Sequence, residues 1–392
     1  MSENSNWTRV KIGDIVDSIS ENNTVAEKPV VLINTSDVLE GKVLNHLEIK
    51  NENLKGQFKK SFKENDTLLS EIRPINNRNA FVNFNPDNYI ASTKLMVLRP
   101  KYNNLKHKYL YYLLTSKNSL EFLQALAESR SGTFPQITFS TLSEIEISLP
   151  PIEEQNSIVN ILSSFDDKIE NNNSIIANLE EQAQTIFKSW FVDFEPFQDG
   201  DFIKSELGEL PEKWGMAKLS NLFEIKYGKN LPTKKLEEEG FPVFGGNGQI
   251  GYYHEYLFKE PKLLISCRGA ASGKVLVSLP NSFITNNSLV MNEFNRDYFH
   301  YFKYLFNTIE FENYATGSAQ PQITISNIKD IEVVVPTEDI IKKFNKLLNP
   351  FFTLQLNLKK ENIRLEETRD ILLPKLMSGE IRVEDTIEVE EI

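Results

Sequence analysis

The sequence lacks the spaced motifs of catalytic and metal-binding residues on which most enzyme active sites are built. Its 392 residues include one cysteine, Cys267, so no internal disulfide can form, which fits a reducing compartment. The four histidines are scattered without the spacing of metal ligands. No Gly-x-Ser-x-Gly motif is present, so a serine hydrolase has no support. We therefore expect no catalytic residue and no metal site.

Long apolar runs are also missing. The first residues contain no apolar core of signal-peptide length. No stretch approaches the ~20 apolar residues of a membrane-spanning helix. We therefore expect a cytoplasmic protein with no membrane association.

Two glycine-rich segments match phosphate-binding motifs only in part. Residues 246–251 fit G-x-G-x-x-G, but the tyrosine-rich sequence that follows predicts a strand and a turn, where a dinucleotide site needs a helix. Residues 269–274 are one residue short of a P-loop and lack the Ser or Thr after the lysine. Both segments are interpreted as turns, and no cofactor is expected on this chain.

Charge is distributed unevenly along the chain, whose net charge is −12. Residues 1–150 hold 18 Lys and Arg against 17 Asp and Glu, and residues 201–336 hold 14 against 16. Residues 151–200 hold only 2 against 10, and residues 337–392 hold 9 against 12. The two longer segments are nearly neutral, so the acidity of the chain does not exclude nucleic-acid binding by them.

The sequence does contain an internal repeat. The motif Pro-Gln-Ile-Thr occurs at residues 135–138 and again at 321–324, a shift of 186 residues. The same shift carries residues 179–181 onto 365–367, so the repeat runs without a gap for about 45 residues. Upstream of the motifs the shift varies, as expected when loops of different length decorate one scaffold.

A long amphipathic segment follows each copy of the motif. Apolar residues step by four and three from Ile158 to Trp190, with one polar break at Asn172, which predicts a helix with a heptad seam. Adding 186 gives a second seam, which contains Asn362. Pro350 lies inside this second seam, where we expect a kink or a broken first turn.

The two seams predict an antiparallel pair of helices. Pairing Ile158 with Leu376 at full overlap places Asn172 opposite Asn362. Two buried Asn in one layer can bond each other and fix the register at some cost in stability. The alternative is that each helix packs independently on its own domain.

These features predict an α+β fold. Two mixed α/β domains alternate with two long helices that pair as an antiparallel coiled coil, giving a pseudo-twofold internal repeat. The predicted domains are residues 1–150 and 201–336. The first helical spacer is 151–200, and 337–392 holds the second spacer and a C-terminal tail. Residues 1–150 should contain short strands and one helical patch near 105–127.

Six motifs resemble those of specificity (S) subunits of type I restriction–modification systems. They are PQIT, LPPIEEQ at 149–155, KSWFVDFEPF at 188–197, SELGELPEKW at 205–214, PVFGGNGQIG at 242–251 and LPKLMSGEI at 373–381. The resemblance covers essentially the whole chain, in the order target-recognition domain, coiled coil, target-recognition domain, coiled coil.

The resemblance implies a DNA-reading subunit with no chemistry of its own. In that family each target-recognition domain reads one half of a bipartite double-stranded DNA site. The paired helices set the gap and dock two adenine methyltransferase (M) subunits, which ATP-dependent restriction (R) subunits can join. S-adenosylmethionine, ATP and Mg are then expected on those partners. Two alternatives are a duplicated DNA-binding protein of another defence or regulatory system, and a protein-binding scaffold.

The predicted DNA contacts are polar side chains just before the repeated motif or in turn-like positions that align between the two copies, because Arg suits guanine, Asn and Gln suit adenine, and Lys suits phosphate. The first domain contributes Arg73, Lys94, Arg130 and Thr133, and the second contributes Arg268, Lys274, Asn286, Asn287, Thr316, Ser318 and Gln320. Gln136 and Gln322 occur in both copies, so we interpret them as scaffold rather than as readers of different bases.

Two groups on the first long segment have competing interpretations. The aromatic residues are assigned to partner docking, with local packing equally supported: Phe187, Trp190, Phe191 and Phe194. The acidic residues are interpreted as a solvated face: Asp166, Asp167, Glu180 and Glu181. Neutral domains with an acidic middle offer little attraction to phosphates, so we expect the isolated chain to bind DNA weakly.

Overall fold

A computed structural model describes residues 6–21, 29–52, 54, 56–129, 135–206, 208–317 and 321–383. The chain forms two compact units. Unit 1 holds residues 1–173 and 359–392, and unit 2 holds residues 174–358. Each unit therefore contains part of both long helices. Among the described residues, no helix is both long enough and apolar enough to cross a membrane.

Unit 1 is built mainly from short strands. Over its described residues these are β1 (Thr8–Lys11), β2 (Val16–Ser18), β3 (Val30–Ile33), β4 (Val38–Leu39), β5 (Lys42–Val43), β6 (Glu48–Ile49), β7 (Phe58–Lys60), β8 (Thr67–Ser70), β9 (Asn79–Phe81), β10 (Tyr89–Ser92), β11 (Leu95–Pro100) and β12 (Glu146–Leu149). The helices before the long one are α1 (Ile12–Ile15), α2 (His107–Thr115), α3 (Lys117–Glu128) and α4 (Phe139–Leu142).

Two four-stranded sheets form the centre of unit 1, in the orders β2-β11-β8-β9 and β6-β3-β10-β7. Strands β8 and β11 are apolar runs whose side chains are buried on both faces over Thr67–Ser70 and Leu95–Leu98, as expected of central strands. Strand β1 pairs with β12 in an antiparallel ladder, so the start of the domain is bonded to its end.

The predicted helical patch is two helices rather than one. Ser116 has an extended backbone between α2 and α3, and its hydroxyl accepts a hydrogen bond from the N–H of Ser119, which makes it the N-cap of α3. Tyr109, Leu110 and Tyr112 on α2 are buried in the same core as Ile158 and Leu162 of the long helix.

The first long helix, α5, spans Ile152–Phe191. It begins directly after Pro150 and Pro151 and ends before Pro196, as the sequence predicts. None of the predicted seam positions from Ile158 to Trp190 is exposed, so one apolar stripe of the helix is covered along its length.

Unit 2 is also built mainly from short strands. Over its described residues the strands are β13 (Phe202–Ser205), β14 (Gly208–Pro211), β15 (Gly215–Lys218), β16 (Phe223–Tyr227), β17 (Phe241–Gly245), β18 (Gly248–Tyr253), β19 (Leu263–Ser266), β20 (Val275–Val277), β21 (Phe283–Ile284), β22 (Ser288–Glu293) and β23 (Glu332–Val335). The short helices are α6 (Leu219–Leu222), α7 (Phe299–Phe306) and α8 (Ile325–Ile328).

The two units share the strand order of one four-stranded sheet, whereas the second sheet has four strands in unit 1 and three, β18-β17-β21, in unit 2. Unit 2 has a four-stranded sheet β16-β22-β19-β20, in which each strand holds the position of β2, β11, β8 or β9 in unit 1. Strand β15 pairs with β23 as β1 pairs with β12, and β17 pairs in parallel with β21 as β3 pairs with β10. The core of unit 2 is strongly aromatic and includes Phe187, Tyr301 and Phe344.

The second long helix, α9, spans Glu338–Ser378 and is assigned as one helix that includes Pro350. The expectation of a broken first turn is therefore wrong. Proline removes one backbone donor, but the residues just before it are held by tertiary packing, since Phe344 and Leu348 are fully buried.

Candidate nucleic-acid interface

In unit 1 the motif at residues 135–138 is tied to the loop after β8. Gln136 forms an antiparallel bridge with Ile72. The N–H of Arg73 donates to the Pro135 carbonyl at 3.1 Å, and the N–H of Ile137 donates to the Glu71 carbonyl at 2.8 Å. Arg73 itself has an exposed side chain and a left-handed backbone (φ 46°). The motif thus fixes the backbone from which Arg73 projects.

A polar network joins three side chains beside this bridge. Gln136 Nε2 donates to Glu71 Oε2 at 2.7 Å, and Lys94 Nζ lies 3.4 Å from Gln136 Oε1 and 3.6 Å from Glu71 Oε2. Lys60 donates to the carbonyls of Thr93 and Leu95, on either side of Lys94. Burial lowers the pKa of Lys60. The network orients Lys94, whose side chain is half exposed.

In unit 2 the second motif makes the same backbone contacts. Gln322 bridges Arg268, the N–H of Gly269 donates to the Pro321 carbonyl at 3.2 Å, and the N–H of Ile323 donates to the Cys267 carbonyl at 3.1 Å. Gln322 also pairs with Thr316 through two backbone hydrogen bonds of 2.9 Å. Two predicted DNA contacts, Arg268 and Thr316, therefore flank one motif residue, and both are exposed.

Three other predicted contacts in unit 2, Lys274, Asn286 and Asn287, lie around the same loop. The backbone of Cys267 donates to the Asn287 carbonyl at 2.9 Å, and Cys267 Sγ lies 3.6 Å from the Asn286 carbonyl oxygen. Lys274 Nζ donates to Asn247 Oδ1 at 2.8 Å. Asn287 is exposed and Asn286 is partly buried. These residues line one edge of the β19–β22 pair.

Matching backbone bonds define which side chains are equivalent in the two units. The N–H of Glu71 donates to the Lys94 carbonyl, and the N–H of Cys267 donates to the Asn287 carbonyl. Glu71 and Lys94 of unit 1 are thus replaced by Cys267 and Asn287 in unit 2. Likewise Ile72 is replaced by Arg268, since both bridge the motif glutamine. One scaffold presents a charged set in one unit and a largely different set in the other.

Comparison with known proteins identifies the family. The sequence model for the type I restriction modification DNA specificity domain matches this chain twice, over residues 4–181 and 211–367. The chain belongs to this family.

Similar proteins agree with that assignment. The type I restriction enzyme HindI specificity subunit of Haemophilus influenzae is 33% identical, over 96% of this chain and 100% of the relative. The MjaIX specificity subunit of Methanocaldococcus jannaschii is 32% identical over 71% of this chain and 70% of its own. The solved S subunit from M. genitalium shares the fold, with a TM-score of 0.54, 23% identity and coverage of 96% and 97%.

Four of the predicted DNA contacts fall outside the part of the chain that the structure describes. Arg130, Thr133, Ser318 and Gln320 lie outside the described residues. Sequence reasoning also missed Glu71, which bonds Gln136 and lies beside Lys94. Glu71 directly follows strand β8 and lies two residues before Arg73, and this position in the sequence could have identified it.

The aromatic group on α5 lies in the core of unit 2. Phe187 and Phe191 are buried, with centroids 5.8 and 4.8 Å from Tyr301. Trp190 and Phe194 are partly buried and pack against the same core. The assignment to partner docking is therefore wrong for Phe187 and Phe191, because rings already covered by their own domain offer no surface to a second protein.

The predicted register pair is within bonding distance in unit 1. Asn172 Nδ2 donates to Asn362 Oδ1 at 2.8 Å and to Glu361 Oε2 at 2.8 Å. Asn362 Nδ2 donates to Asn173 Oδ1 at 2.9 Å. Both Asn172 and Asn362 are buried. The amide groups therefore satisfy part of each other's hydrogen-bonding capacity, as a polar layer requires.

Two acidic residues on α5 are not a solvated face. Asp166 accepts from Tyr112 and Arg369, and Glu180 accepts from Lys303 and Gln355. The interpretation is corrected for these two, since basic and hydroxyl groups from other elements reach them. Asp167 and Glu181, the acids that follow them, are exposed as expected.

The interpretation of both glycine-rich segments as turns holds for residues 246–247 and 269–271, but it is wrong for residues 248–251, which lie in a strand. Residues Gly248–Tyr253 form β18, which pairs antiparallel with β17, so no helix N-terminus follows the G-x-G-x-x-G pattern. Residues Gly269–Ala271 form one short 3-10 turn. Over the described residues, no group of three or more His, Cys, Asp or Glu is placed to hold a metal ion.

Proposed function

We propose that this chain reads a bipartite DNA sequence, with each unit contacting one half-site. The chain is a specificity subunit, and its relatives are named as specificity subunits rather than as catalytic ones. The observation that carries the proposal is the repeated scaffold: identical backbone bonds around the two motifs present different side chains at equivalent positions. This is what two readers of different half-sites require.

The side chains suggest how the two half-sites differ. Arg268 can donate two hydrogen bonds to guanine in the major groove, whereas Ile72 at the equivalent position of unit 1 can only make apolar contacts. Lys94 is held by Glu71 and Gln136 and suits a phosphate or a guanine, while Asn287 suits adenine. We therefore propose that unit 2 reads bases through Arg268 and Asn287, and unit 1 through Arg73 and Lys94.

The two long helices would form the antiparallel coiled coil that sets the gap between half-sites. Support comes from the covered seam positions, from the Asn172–Asn362 layer in unit 1 and, in unit 2, from Phe344 packed against Trp190. The pseudo-twofold repeat is supported by the two family matches and by the strand order that the sheets β2-β11-β8-β9 and β16-β22-β19-β20 share.

We also propose the partners. Two methyltransferase subunits would dock on the helices, and restriction subunits would join them, all in the cytoplasm. S-adenosylmethionine, ATP and Mg would be bound by those partners. Because residues 1–150 and 201–336 are nearly neutral, the chain alone should bind DNA weakly and the assembly tightly.

The test is to map N6-methyladenine across the genome with and without this gene. A bipartite motif that disappears with the gene is expected, and an unchanged methylome would refute the proposal. Arg268→Ala should then relax base preference in one half-site by about 1–3 kcal/mol at one position. Lys94→Ala should affect only the other half-site, so each variant carries its own internal control.

A further inference from the structure

Two carboxylates on α5 each join three structural elements inside one unit. In unit 1, Asp166 Oδ2 accepts from Tyr112 Oη at 2.5 Å, and Asp166 Oδ1 accepts from Arg369 Nη1 at 2.8 Å. Tyr112 lies on α2, within the domain that holds the sheets of unit 1. Asp166 lies on α5 and Arg369 on α9. The Asp166 node, as we call this set, therefore links the domain to both long helices.

Unit 2 has a node of the same plan built from other residues. Glu180 Oε2 accepts from Lys303 Nζ at 2.7 Å and from Gln355 Nε2 at 3.2 Å. Lys303 lies on α7, which holds in unit 2 the place of α2, and Gln355 lies on α9. This set is the Glu180 node.

The spacing of the nodes matches the heptad repeat. Asp166 and Glu180 are 14 residues apart on α5, and Gln355 and Arg369 are 14 residues apart on α9. Two heptads bring a residue back to the same stripe of a coiled-coil helix. Each carboxylate therefore lies beside the seam, where it reaches the second helix and the domain at once.

Both nodes are protected enough from water for their geometry to matter. The side chains of Asp166 and Glu180 are 27% and 29% exposed, and that of Lys303 is 15% exposed. Tyr112 is 3% exposed, and burial followed by the charge of Asp166 raises its pKa. Its hydroxyl therefore stays protonated and keeps donating to Asp166.

Each node stands at one end of the contact between domain and helix. In unit 1 that contact begins at Glu154, which accepts from Trp7 Nε1 at 2.9 Å, continues through Ile158 and Leu162, and ends at Asp166. Twelve residues of helix span about 18 Å, so a tilt of about 11° about one end moves the other by roughly 3.4 Å, the rise of one base pair. In unit 2 the corresponding contact between domain and helix runs along α5 from Glu180 to Phe191.

We infer that Asp166 and Glu180 are positioning residues that hold each recognition domain at a fixed tilt on the helices, and so set how strictly the gap between half-sites is read. The inference rests on the proposed function, because a gap exists only if the two units read two half-sites. The apolar core holds the domain on the helix, and the node fixes its angle, since hydrogen bonds are directional and apolar contacts are not.

The test uses the full complex of this chain with its methyltransferase subunits. Substrates carry the two half-sites at the native gap or at a gap one base pair longer or shorter. Asp166→Asn and Tyr112→Phe alter the first node, and Glu180→Gln alters the second. Asp167→Asn and Glu181→Gln are matched controls, because each makes the same carboxylate-to-amide change at the neighbouring acid, which is exposed. Melting temperature is measured for every variant.

In the node variants, we expect the ratio of methylation at the native gap to methylation at the altered gaps to fall about tenfold, which corresponds to about 1.4 kcal/mol. Base preference within each half-site should be unchanged. The controls should keep the wild-type preference. Equal loss of methylation at all three gaps, or no change in the ratio, would overturn the inference and leave the proposed function intact. A wild-type complex that shows no bipartite preference would instead sink the proposed function itself.

Discussion

The buried amide layer of unit 1 yields a prediction whose size can be worked out. Asn172 donates two hydrogen bonds of 2.8 Å, to Asn362 and Glu361, and is fully buried. Asn172→Leu removes both donors and leaves the buried Asn362 Oδ1 without its partner. An unsatisfied buried polar group costs about 1–3 kcal/mol, so the free energy of unfolding should fall by about that amount.

The double variant Asn172→Leu/Asn362→Leu should recover most of this loss. Replacing both partners by apolar groups leaves no fully buried orphan and can be nearly neutral or stabilising. Glu361 and Asn173 each lose a donor, but water reaches both, since the side chain of Glu361 is 42% exposed and Asn173 is exposed. The two substitutions should therefore be non-additive, with a coupling of about 1–3 kcal/mol in a double-mutant cycle. The double variant should therefore be more stable than the single variant, but its preference for one helix register should be weaker than that of the wild type.

The assay is urea unfolding of the full chain, monitored by circular dichroism. The free energies of unfolding of the single, double and control variants are compared provided that their m-values are equal. Asn171→Leu is the control, because Asn171 is exposed one residue away on the same helix. Its unfolding free energy should stay within about 0.5 kcal/mol of the wild type. If the two single losses simply add in the double variant, the paired-amide reasoning is refuted.

Three further predictions concern unit 2. Phe344→Ala should cost about 3–5 kcal/mol in denaturant unfolding, because Phe344 is fully buried against Phe191 at 4.8 Å, whereas Leu347→Ala, at a side chain 43% exposed, should cost far less. Burial, Lys303 and Arg296 lower the pKa of His300 from 6.5 to about 3. The unfolded chain therefore takes up the proton first as pH falls. Stability should decrease between about pH 6.5 and 3 by up to about 1.4 kcal/mol per pH unit, a slope that His300→Phe should reduce in acid titrations. Gly228→Ala should destabilise unit 2 by about 1–3 kcal/mol in thermal melts, because its Cβ would lie 2.2 Å from the Thr285 carbonyl oxygen, while Gly215→Ala, with no atom within 4 Å, should be tolerated.

Much of the fold follows from local patterns in the sequence. The heptad seams predicted α5 and α9, and short apolar runs predicted β3 and β11. The break between α2 and α3 was not predicted, because Ser116 acts through a capping bond that apolar periodicity does not show. The expectation of a broken turn at Pro350 was wrong for a related reason: burial of Phe344 and Leu348 outweighs the local cost of proline.

The candidate interface was predicted less completely than the fold. Thr316 was selected because it lies just before the motif and Arg268 because it lies in a turn-like position that aligns between the copies, and both flank Gln322. Glu71 was missed, because its role depends on contacts with residues 94 and 136 that only the fold brings together. The aromatic side chains on α5 were ambiguous in the sequence, since a ring that packs on its own domain and one that docks a partner give the same apolar pattern.

The sequence by itself determined the repeat, the two long helices and the register position of the two asparagines. Those features depend on spacing along the chain, which the period of a helix converts directly into faces and layers. Only the tertiary structure decided which polar side chains meet. It placed Asp166 and Glu180 between three elements rather than in solvent, and it made Glu71, Lys94 and Gln136 one network. Long-range pairing of this kind depends on the packing of distant segments, and no local period encodes it.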